Sequence, residues 1–226
     1  EPGVKEIESR LEAVEGQIQA QLAFIPNIIH NSVPRGENEA DNLKVREWGI
    51  KPDFDFKPKD HLELGESLEL FDFKRGTKMA GTGFPLYKKQ GAKLERSLIN
   101  FMLDYHVENH GYSELFPPFL ANTNAMFNTG QLPKFAEEMY RIPADKLYAI
   151  PTAEVPVTNI HQGEILAEDS LPKYYAAYSA CFRREAGSYG KDTRGLLRVH
   201  QFNKVELVKF VKPENSYSEL EKLVEN

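Results

Sequence analysis

Two extended stretches on either side of a glycine-bearing segment constrain the fold of this chain most strongly. Residues 174–185 (YYAAYSACFRRE) and 196–211 (LLRVHQFNKVELVKFV) have the composition of strands, and Gly187, Gly190 and Gly195 lie between them. Two strand-like stretches around such a segment predict a long antiparallel hairpin. Because long helical patterns occur elsewhere in the chain, the sequence favours an α+β fold.

Residues 5–25 carry an apolar pattern typical of a helix. The apolar side chains recur at spacings of three, four and seven, close to a heptad. They are Ile7, Leu11, Val14, Ile18 and Ile25. Such a helix either packs on the body of the protein or forms one arm of an antiparallel coiled coil, and the pattern leaves both open. Residues 26–60 are rich in Pro, Asn and Gly, which predicts a linker or an extended surface segment.

A second helical pattern covers residues 86–110, with Gly111 where a helix-ending glycine belongs. Its apolar stripe consists of Leu94, Leu98, Phe101, Met102 and Tyr105. Residues 112–119 (YSELFPPF) predict an extended segment at a sheet edge, because proline cannot donate to a sheet ladder. We predict loop and short helix for residues 121–146 and a short extended piece for residues 146–150 (KLYAI).

Bulk composition excludes several classes of protein. No apolar run is long enough to span a bilayer, so no membrane partner is expected. The net charge of −6 argues against DNA binding and wholesale non-specific nucleic-acid binding, although a local basic patch remains compatible with it. The single cysteine, Cys181, excludes an internal disulfide and fits a reducing, cytoplasmic compartment, and the scattered histidines argue against a zinc cage.

The predicted hairpin would carry a polar face, because side chains of one parity share a face of a strand. This face holds Ser179, Cys181, Arg183 and Glu185 on the first strand and Arg198, His200, Phe202, Lys204 and Glu206 on the second. Guanidinium groups bind phosphate oxygens and an aromatic ring stacks on a base, so the face suits a nucleotide. A solvated sheet face with cross-strand ion pairs shows the same pattern, and the residues alone leave both interpretations open.

Several segments resemble one enzyme family. The stretch CFRREAGSYGKDTRGLLRVHQFNKVELV resembles motif 2 of class II aminoacyl-tRNA synthetases, and specifically of the seryl-tRNA synthetases, with motif 2 covering about residues 174–211. HGYSELFPP resembles motif 1, at about residues 92–118, and Gly111, Tyr112 and Pro118 fall on its signature positions. PTAEVPVTN resembles the Thr-x-Glu segment that binds serine, and NTGQLPKF is also typical of these enzymes.

The resemblance implies a fold and a reaction. We expect the antiparallel sheet of class II synthetases, flanked by helices, in a homodimer whose interface is formed by motif 1. The implied activity is that of a serine–tRNA ligase: L-serine reacts with ATP, with Mg²⁺ on the phosphates, to give seryl-adenylate. The seryl group then passes to tRNA(Ser), without a covalent enzyme intermediate. Acidic metal ligands are expected after residue 226, and none within this chain.

The resemblance also assigns roles to single residues. Arg183 would hold the α-phosphate and act as the catalytic residue. The implied ATP-binding residues are Arg183, Arg184, Glu185 on the adenine side, Arg198 near the γ-phosphate and Phe202 under the base. The implied serine-binding residues are Thr152, Ala153, Glu154, Arg183 and Glu206. The loop 186–197 would meet the acceptor end of tRNA.

Some of these residues also have simpler interpretations. Thr152 and Glu154 are typical of a helix cap and a first-turn acid. Cys181 and His200 are expected to be packed, structural residues, because no cationic partner activates the thiol and the resemblance gives the histidine no role. Lys204 is compatible with a solvated strand lysine.

The resemblance further implies an organisation along the chain. Residues 1–30 would be the remnant of a tRNA-binding helical arm, residues 31–60 a linker, and residues 61–226 the N-terminal part of a catalytic domain. No glycine follows Gly195, so the glycine-rich, arginine-bearing motif 3 is missing. We therefore expect a fragment that is not competent for adenylation alone. The rival hypothesis is a non-catalytic, synthetase-like dimeric protein with a binding or regulatory role.

Overall fold

The computed structural model describes residues 2–186 and 194–226. Gly187, Gly190 and most of the segment predicted to meet tRNA lie outside the described residues. The chain divides into two compact units, Glu1–Pro58 and Lys59–Asn226.

The described chain contains both helices and antiparallel strands, as expected for an α+β protein. The helices are α1 (Pro2–Leu22), α2 (His61–Ser67), α3 (Phe73–Ala80), α4 (Lys89–His110), α5 (Thr123–Asn128), α6 (Glu154–Thr158) and α7 (Ser216–Glu225). The strands are β1 (Ser113–Leu115), β2 (Leu120–Asn122), β3 (Tyr140–Ile142), β4 (Leu147–Ala149), β5 (Lys173–Phe182) and β6 (Gln201–Phe210).

The first unit contains the predicted N-terminal helix. Helix α1 carries the apolar stripe that the sequence shows, and the stripe is exposed, from 44% at Val14 to 69% at Ile7. The rest of the unit is irregular chain around a short 3-10 helix, Glu39–Asp41, which the side chain of Asn38 caps. Among the described residues, no helix is both long and apolar enough to cross a membrane.

The predicted hairpin is the centre of the second unit. β5 and β6 pair antiparallel over ten residues each, from Lys173 opposite Phe210 to Phe182 opposite Gln201. β1 joins β5 in parallel and forms an edge of this sheet, which agrees with the edge prediction.

The strands are shorter than the sequence pattern suggested. β5 ends at Phe182 and β6 begins at Gln201. The N–H of Arg183 still donates to the carbonyl of His200 across the hairpin at 3.0 Å, but the next described backbone groups have other partners. The N–H of Arg184 donates to the carbonyl of Glu138 at 2.9 Å, and Glu185 adopts φ +51°, a left-handed conformation that is uncommon for a residue with a side chain. Arg183–Glu185 and Leu196–His200 therefore form the bends at the end of the hairpin rather than parts of its strands.

Helix α4 confirms the second helical pattern, and its glycine stop is also confirmed. Gly111 adopts φ +69° and its N–H donates to the carbonyl of His106. The predicted apolar stripe, however, is largely exposed, at 45–62% for Leu94, Leu98, Phe101 and Tyr105. The adjacent face packs on the sheet instead, where Leu103 and Ile99 meet Ala176.

A small second sheet, in the order β2-β4-β3, lies beside the hairpin. Parts of residues 121–146 are thus strands, where the sequence predicted loop and short helix, while α5 confirms the helix. Its core includes Met126 and Ile150, which are fully buried. The carbonyl of Ile150 accepts from the N–H of Phe182 at 2.8 Å, and this bond fixes the next residues, Pro151 and Thr152, against the end of the hairpin.

Candidate active site

The predicted polar face of the hairpin exists where both strands are formed. The register places Ser179 opposite Lys204 and Cys181 opposite Phe202. Ser179 and Cys181 are fully buried, and burial raises the pKa of the Cys181 thiol. A buried thiol with a raised pKa is a poor nucleophile, which agrees with the packed role expected for Cys181.

Thr152, Lys204 and Glu206 form a closed triangle of polar contacts on this face. The Thr152 hydroxyl donates to Glu206 Oε2 at 2.6 Å, and Lys204 Nζ donates to Thr152 Oγ1 at 2.6 Å. Lys204 Nζ also lies 2.5 Å from Glu206 Oε2. Thr152 is buried, whereas Lys204 and Glu206 are 31% and 22% exposed in their side chains. The triangle joins two predicted serine-binding residues that are 54 positions apart in sequence.

Arg183 lies next to this triangle, at the end of β5. Its guanidinium carbon is 5.1 Å from the centroid of the Phe202 ring, and its Nε donates to the carbonyl of Pro151 at 3.3 Å. The stack and the hydrogen bond orient the planar group, so that a ligand would meet its terminal nitrogens. Phe202 is thus in contact with the guanidinium, and its stacking on a base stays a prediction.

An ion pair borders the same region. Arg198 Nη1 lies 3.2 Å from Glu185 Oε2, and the Glu185 side chain is 15% exposed. With Arg183 these two residues line a cleft of about 380 Å³. The cleft is also lined by Gln131, Phe135, Glu138, Met139 and Pro151. Three of the predicted ATP-binding residues are therefore brought together.

Other predicted site residues lie further out. Arg184 is exposed, with its guanidinium 5.9 Å from the Tyr140 ring centroid. Glu154 is exposed in the first turn of α6, and Ala153 is fully buried before it. The cap position of α6 is Ala153 rather than Thr152, whereas Glu154 is the first-turn acid that was expected. The Thr152 hydroxyl nevertheless accepts from the N–H of Glu154 at 3.2 Å.

His200 has a packing role, as expected. Its ring stacks on Phe84 with centroids 5.2 Å apart, and its Nδ1 lies 2.6 Å from the Tyr140 hydroxyl. Its backbone N–H donates to the carbonyl of Gly83 at 2.8 Å. A Cβ at Gly83 would lie 2.2 Å from the His200 ring, so this close approach requires glycine.

Two polar residues of the site receive no functional role from the sequence. Lys204 is compatible there with a solvated strand lysine, although its position two residues before Glu206 on the same face is a usable signal. Glu138 lines the cleft, and its Oε2 accepts from the N–H of Ala186 at 3.0 Å. No sequence pattern marks Glu138, because its partner lies 48 residues away.

The three motif 1 positions occupy different environments. Gly111 caps α4, and Pro118 is exposed and lines an apolar pocket of about 560 Å³. Tyr112 is buried, and its hydroxyl donates to Asn226 Oδ1 at 2.8 Å. Burial, together with the nearby Tyr174 and Glu219, raises the pKa of Tyr112 to about 12. Their part in a dimer interface stays a prediction.

Residues 2–186 and 194–226 form the part of the chain that the structure describes. No cluster of three or more His, Cys, Asp or Glu side chains in this described part could hold a metal ion.

Comparisons with known proteins agree on one family. The model of the tRNA synthetase class II core domain (G, H, P, S and T) matches residues 138–226. A curated serine–tRNA ligase from Chloroherpeton thalassium is 60% identical over 98% of this chain, which covers 52% of that protein. The chain spans about half the length of the curated relatives it matches.

Solved structures give the same result. The seryl-tRNA synthetase from Pyrococcus horikoshii, complexed with ATP, has a TM-score of 0.90 at 35% identity, covering 98% of this chain and 54% of its own. The cytoplasmic serine–tRNA ligase from Naegleria fowleri, in complex with AMP, has a TM-score of 0.83 at 30% identity, covering 96% and 51%. These matches confirm the class II synthetase fold and the resemblance of nearly the whole chain to part of the seryl-tRNA synthetases.

Proposed function

We propose that this chain carries much of the amino-acid activation site of a serine–tRNA ligase. The observation that carries the proposal is the triangle of Thr152, Lys204 and Glu206, together with the contacts of Arg183. Arg183 contacts Pro151, which directly precedes Thr152, and Phe202, which lies two residues before Lys204 in β6. In this proposal, an amino-acid site and a phosphate-binding guanidinium would lie next to each other. The names of the relatives, and the ATP and AMP in the titles of two similar structures, support the assignment.

In the proposed first step, a carboxylate oxygen of L-serine attacks the α-phosphorus of ATP. A bond forms between this oxygen and phosphorus, the bond to the leaving pyrophosphate breaks, and seryl-adenylate results. Arg183 would bind oxygens of the α-phosphate through its terminal nitrogens and stabilise the charge that develops there. Because Phe202 and the Pro151 carbonyl already orient the guanidinium, little reorganisation is needed when the substrate reacts.

The amino-acid end of the site would be supplied by the triangle. Glu206 would accept a hydrogen bond from the ammonium or the hydroxyl of serine, with Thr152, Ala153 and Glu154 forming the wall around it. Holding serine here would direct its carboxylate toward the phosphate bound by Arg183. Such positioning of two reactants is a large part of catalysis when no covalent enzyme intermediate forms.

The nucleotide would extend along the cleft of about 380 Å³. Glu185 would lie on the adenine side, Phe202 under the base, and Arg184 and Arg198 would provide further cationic contacts. In this proposal, Arg198 exchanges part of its contact with Glu185 for the γ-phosphate. Mg²⁺ would arrive with the triphosphate, and no step is assigned to it.

The second step and the assembly are also part of the proposal. The terminal ribose hydroxyl of tRNA(Ser) would attack the seryl carbonyl of the adenylate, so that an ester bond forms, the bond to phosphate breaks and AMP leaves. The enzyme would act as a cytoplasmic homodimer joined through motif 1. Residues 1–30 would belong to a tRNA-binding arm, residues 31–60 to a linker, and residues 61–226 to the catalytic domain.

Serine-dependent exchange of pyrophosphate into ATP tests this proposal. We use "the extended protein" for this chain continued to the length of its curated relatives. The extended protein should show exchange that depends on serine, and residues 1–226 alone should show none above background, because relatives are about twice as long. Absence of exchange in a folded extended protein would favour the non-catalytic rival. Equal exchange by both proteins would show that these 226 residues suffice.

A further inference from the structure

Lys204 is the member of the triangle to which the motif resemblance assigns no role. Its ammonium contacts Thr152, which precedes α6, and Glu206, which lies in β6. The side chain is only 31% exposed. Lys204 therefore holds together two elements that both contribute to the proposed serine site.

The contacts of Lys204 determine what Thr152 can do. The Thr152 hydroxyl accepts from Lys204 Nζ at 2.6 Å and from the N–H of Glu154 at 3.2 Å, and it donates to Glu206 Oε2 at 2.6 Å. A hydroxyl has one donor and two acceptor positions, and an ammonium can only donate. The hydroxyl is thus saturated, and its proton points to Glu206.

The same contacts leave Glu206 with one oxygen for a ligand. Among the described residues, both polar contacts of its carboxylate fall on Oε2, from Thr152 and from Lys204. A carboxylate held through one oxygen presents the other in a fixed direction. Oε1 is therefore the acceptor that remains for a substrate.

We propose that Lys204 is a positioning residue for amino-acid selectivity, which holds Glu206 so that only Oε1 receives a polar group of the amino acid. The inference rests on the proposed function, since it concerns the amino-acid end of the same site. Without the ammonium, Thr152 could turn its hydroxyl and Glu206 could present either oxygen. Serine binding would weaken and discrimination against amino acids without a hydroxyl would fall, while the phosphate end at Arg183 would keep its own supports.

The test compares Lys204→Met with Lys212→Met in the extended protein. Lys212 is a fitting control, because its side chain is also 31% exposed and forms an ion pair, with Glu168, beyond the other end of β6. In pyrophosphate exchange, Lys204→Met should raise KM for serine about 10- to 100-fold, the range expected when a hydrogen bond to a charged group is lost. KM for ATP should change less than about threefold, and the preference for serine over alanine should fall by about tenfold or more.

The outcomes separate this inference from the proposed function. Lack of exchange in the wild-type extended protein would overturn the proposed function and the inference with it. Wild-type exchange together with an unchanged or lowered KM for serine in Lys204→Met would overturn the inference alone. Equal rises in KM for serine and ATP would show a merely structural role and overturn it as well. If the methionine variant does not fold, Lys204→Gln carries the same expectations.

Discussion

Two lysines of strand β6 form ion pairs with glutamates, Lys204 with Glu206 in the same strand and Lys209 with Glu219 in α7, and the pairs differ in how completely they are enclosed. The side chains of Lys204 and Glu206 are 31% and 22% exposed. Among the described residues, the polar contacts of the Glu206 carboxylate fall on one oxygen, Oε2. Lys209 and Glu219 are only 7% and 9% exposed. Both oxygens of Glu219 are engaged, Oε2 by the Tyr174 hydroxyl and Lys209, and Oε1 by Lys222.

The difference shows how one kind of ion pair can serve binding or stability. Lys209 also lies 4.5 Å from the Tyr174 ring centroid, so the pair fastens α7 to the sheet with internal partners. Hydrogen bonds from Lys222 and Tyr174, with further help from Lys209, lower the pKa of Glu219 to about 2. A saturated carboxylate of this kind stabilises the fold, whereas a carboxylate with an open oxygen, as in Glu206, can bind a ligand.

The largest effect is expected at the Lys204–Glu206 pair, in which one carboxylate oxygen is open. Glu206→Ala in the extended protein should lower kcat/KM for serine by about 10³- to 10⁴-fold, because a site built to bind a polar group loses its acceptor. Pyrophosphate exchange measures this loss. Glu214→Ala, at an exposed glutamate after β6, serves as the control and should stay near wild type. Near-normal exchange in Glu206→Ala would remove Glu206 from the site.

A smaller effect is expected at Arg183. Arg183→Lys should lower kcat by about 10²- to 10³-fold, because an ammonium lacks the planar fork that binds two phosphate oxygens. Arg141→Lys is a matched control, since Arg141 lies over the Tyr148 ring at 6.0 Å much as Arg183 lies over Phe202. Single-turnover adenylate formation gives the rate. Wild-type turnover in Arg183→Lys would contradict the bidentate role.

A substitution in the Lys209–Glu219 pair should lower stability and leave activity nearly unchanged. Glu219→Gln should lower Tm at pH 7 by about 5–15 °C, because it leaves Lys209 buried without its carboxylate. Its kcat/KM for serine should stay within about threefold of wild type. Calorimetric melting and pyrophosphate exchange, both done on the extended protein, give the two values.

The smallest effect is a change in acid sensitivity. The folded pKa of Glu219, about 2, lies below its ordinary value of 4.5, so its contribution is present above pH 4.5 and is lost as the pH falls from 4.5 toward 2. Glu219→Gln lacks this contribution at any pH. Its Tm should therefore fall less steeply than that of wild type between pH 4.5 and 2.5, and parallel curves would contradict the assignment.

The two pairs also show what could be predicted from the sequence. Periodicity and glycine placement predicted α4 and the hairpin, and strand parity placed Lys204 and Glu206 on one face. Strand parity alone could not place Thr152 beside Glu206, because the two residues lie 54 positions apart in sequence. The serine-binding role predicted for Thr152 therefore came from the motif resemblance. Glu219 was not predicted, because its partner Tyr174 lies 45 residues away and neither is marked by a pattern. Short β3 also escaped prediction, because its three residues are too few to show an alternating pattern and its strand character appears only in the pairing with β4.

Binding of serine to the extended protein tests the contrast between the Lys204–Glu206 pair and the Lys209–Glu219 pair most directly. Isothermal titration should be done at 25 °C, with wild type, Glu206→Gln and Glu219→Gln side by side. We predict that Glu219→Gln binds serine with a Kd within about threefold of wild type, whereas Glu206→Gln weakens binding by about 100-fold or more. If a folded Glu219→Gln variant binds serine as weakly as Glu206→Gln does, the assignment of Glu206 to binding and of Glu219 to stability is contradicted.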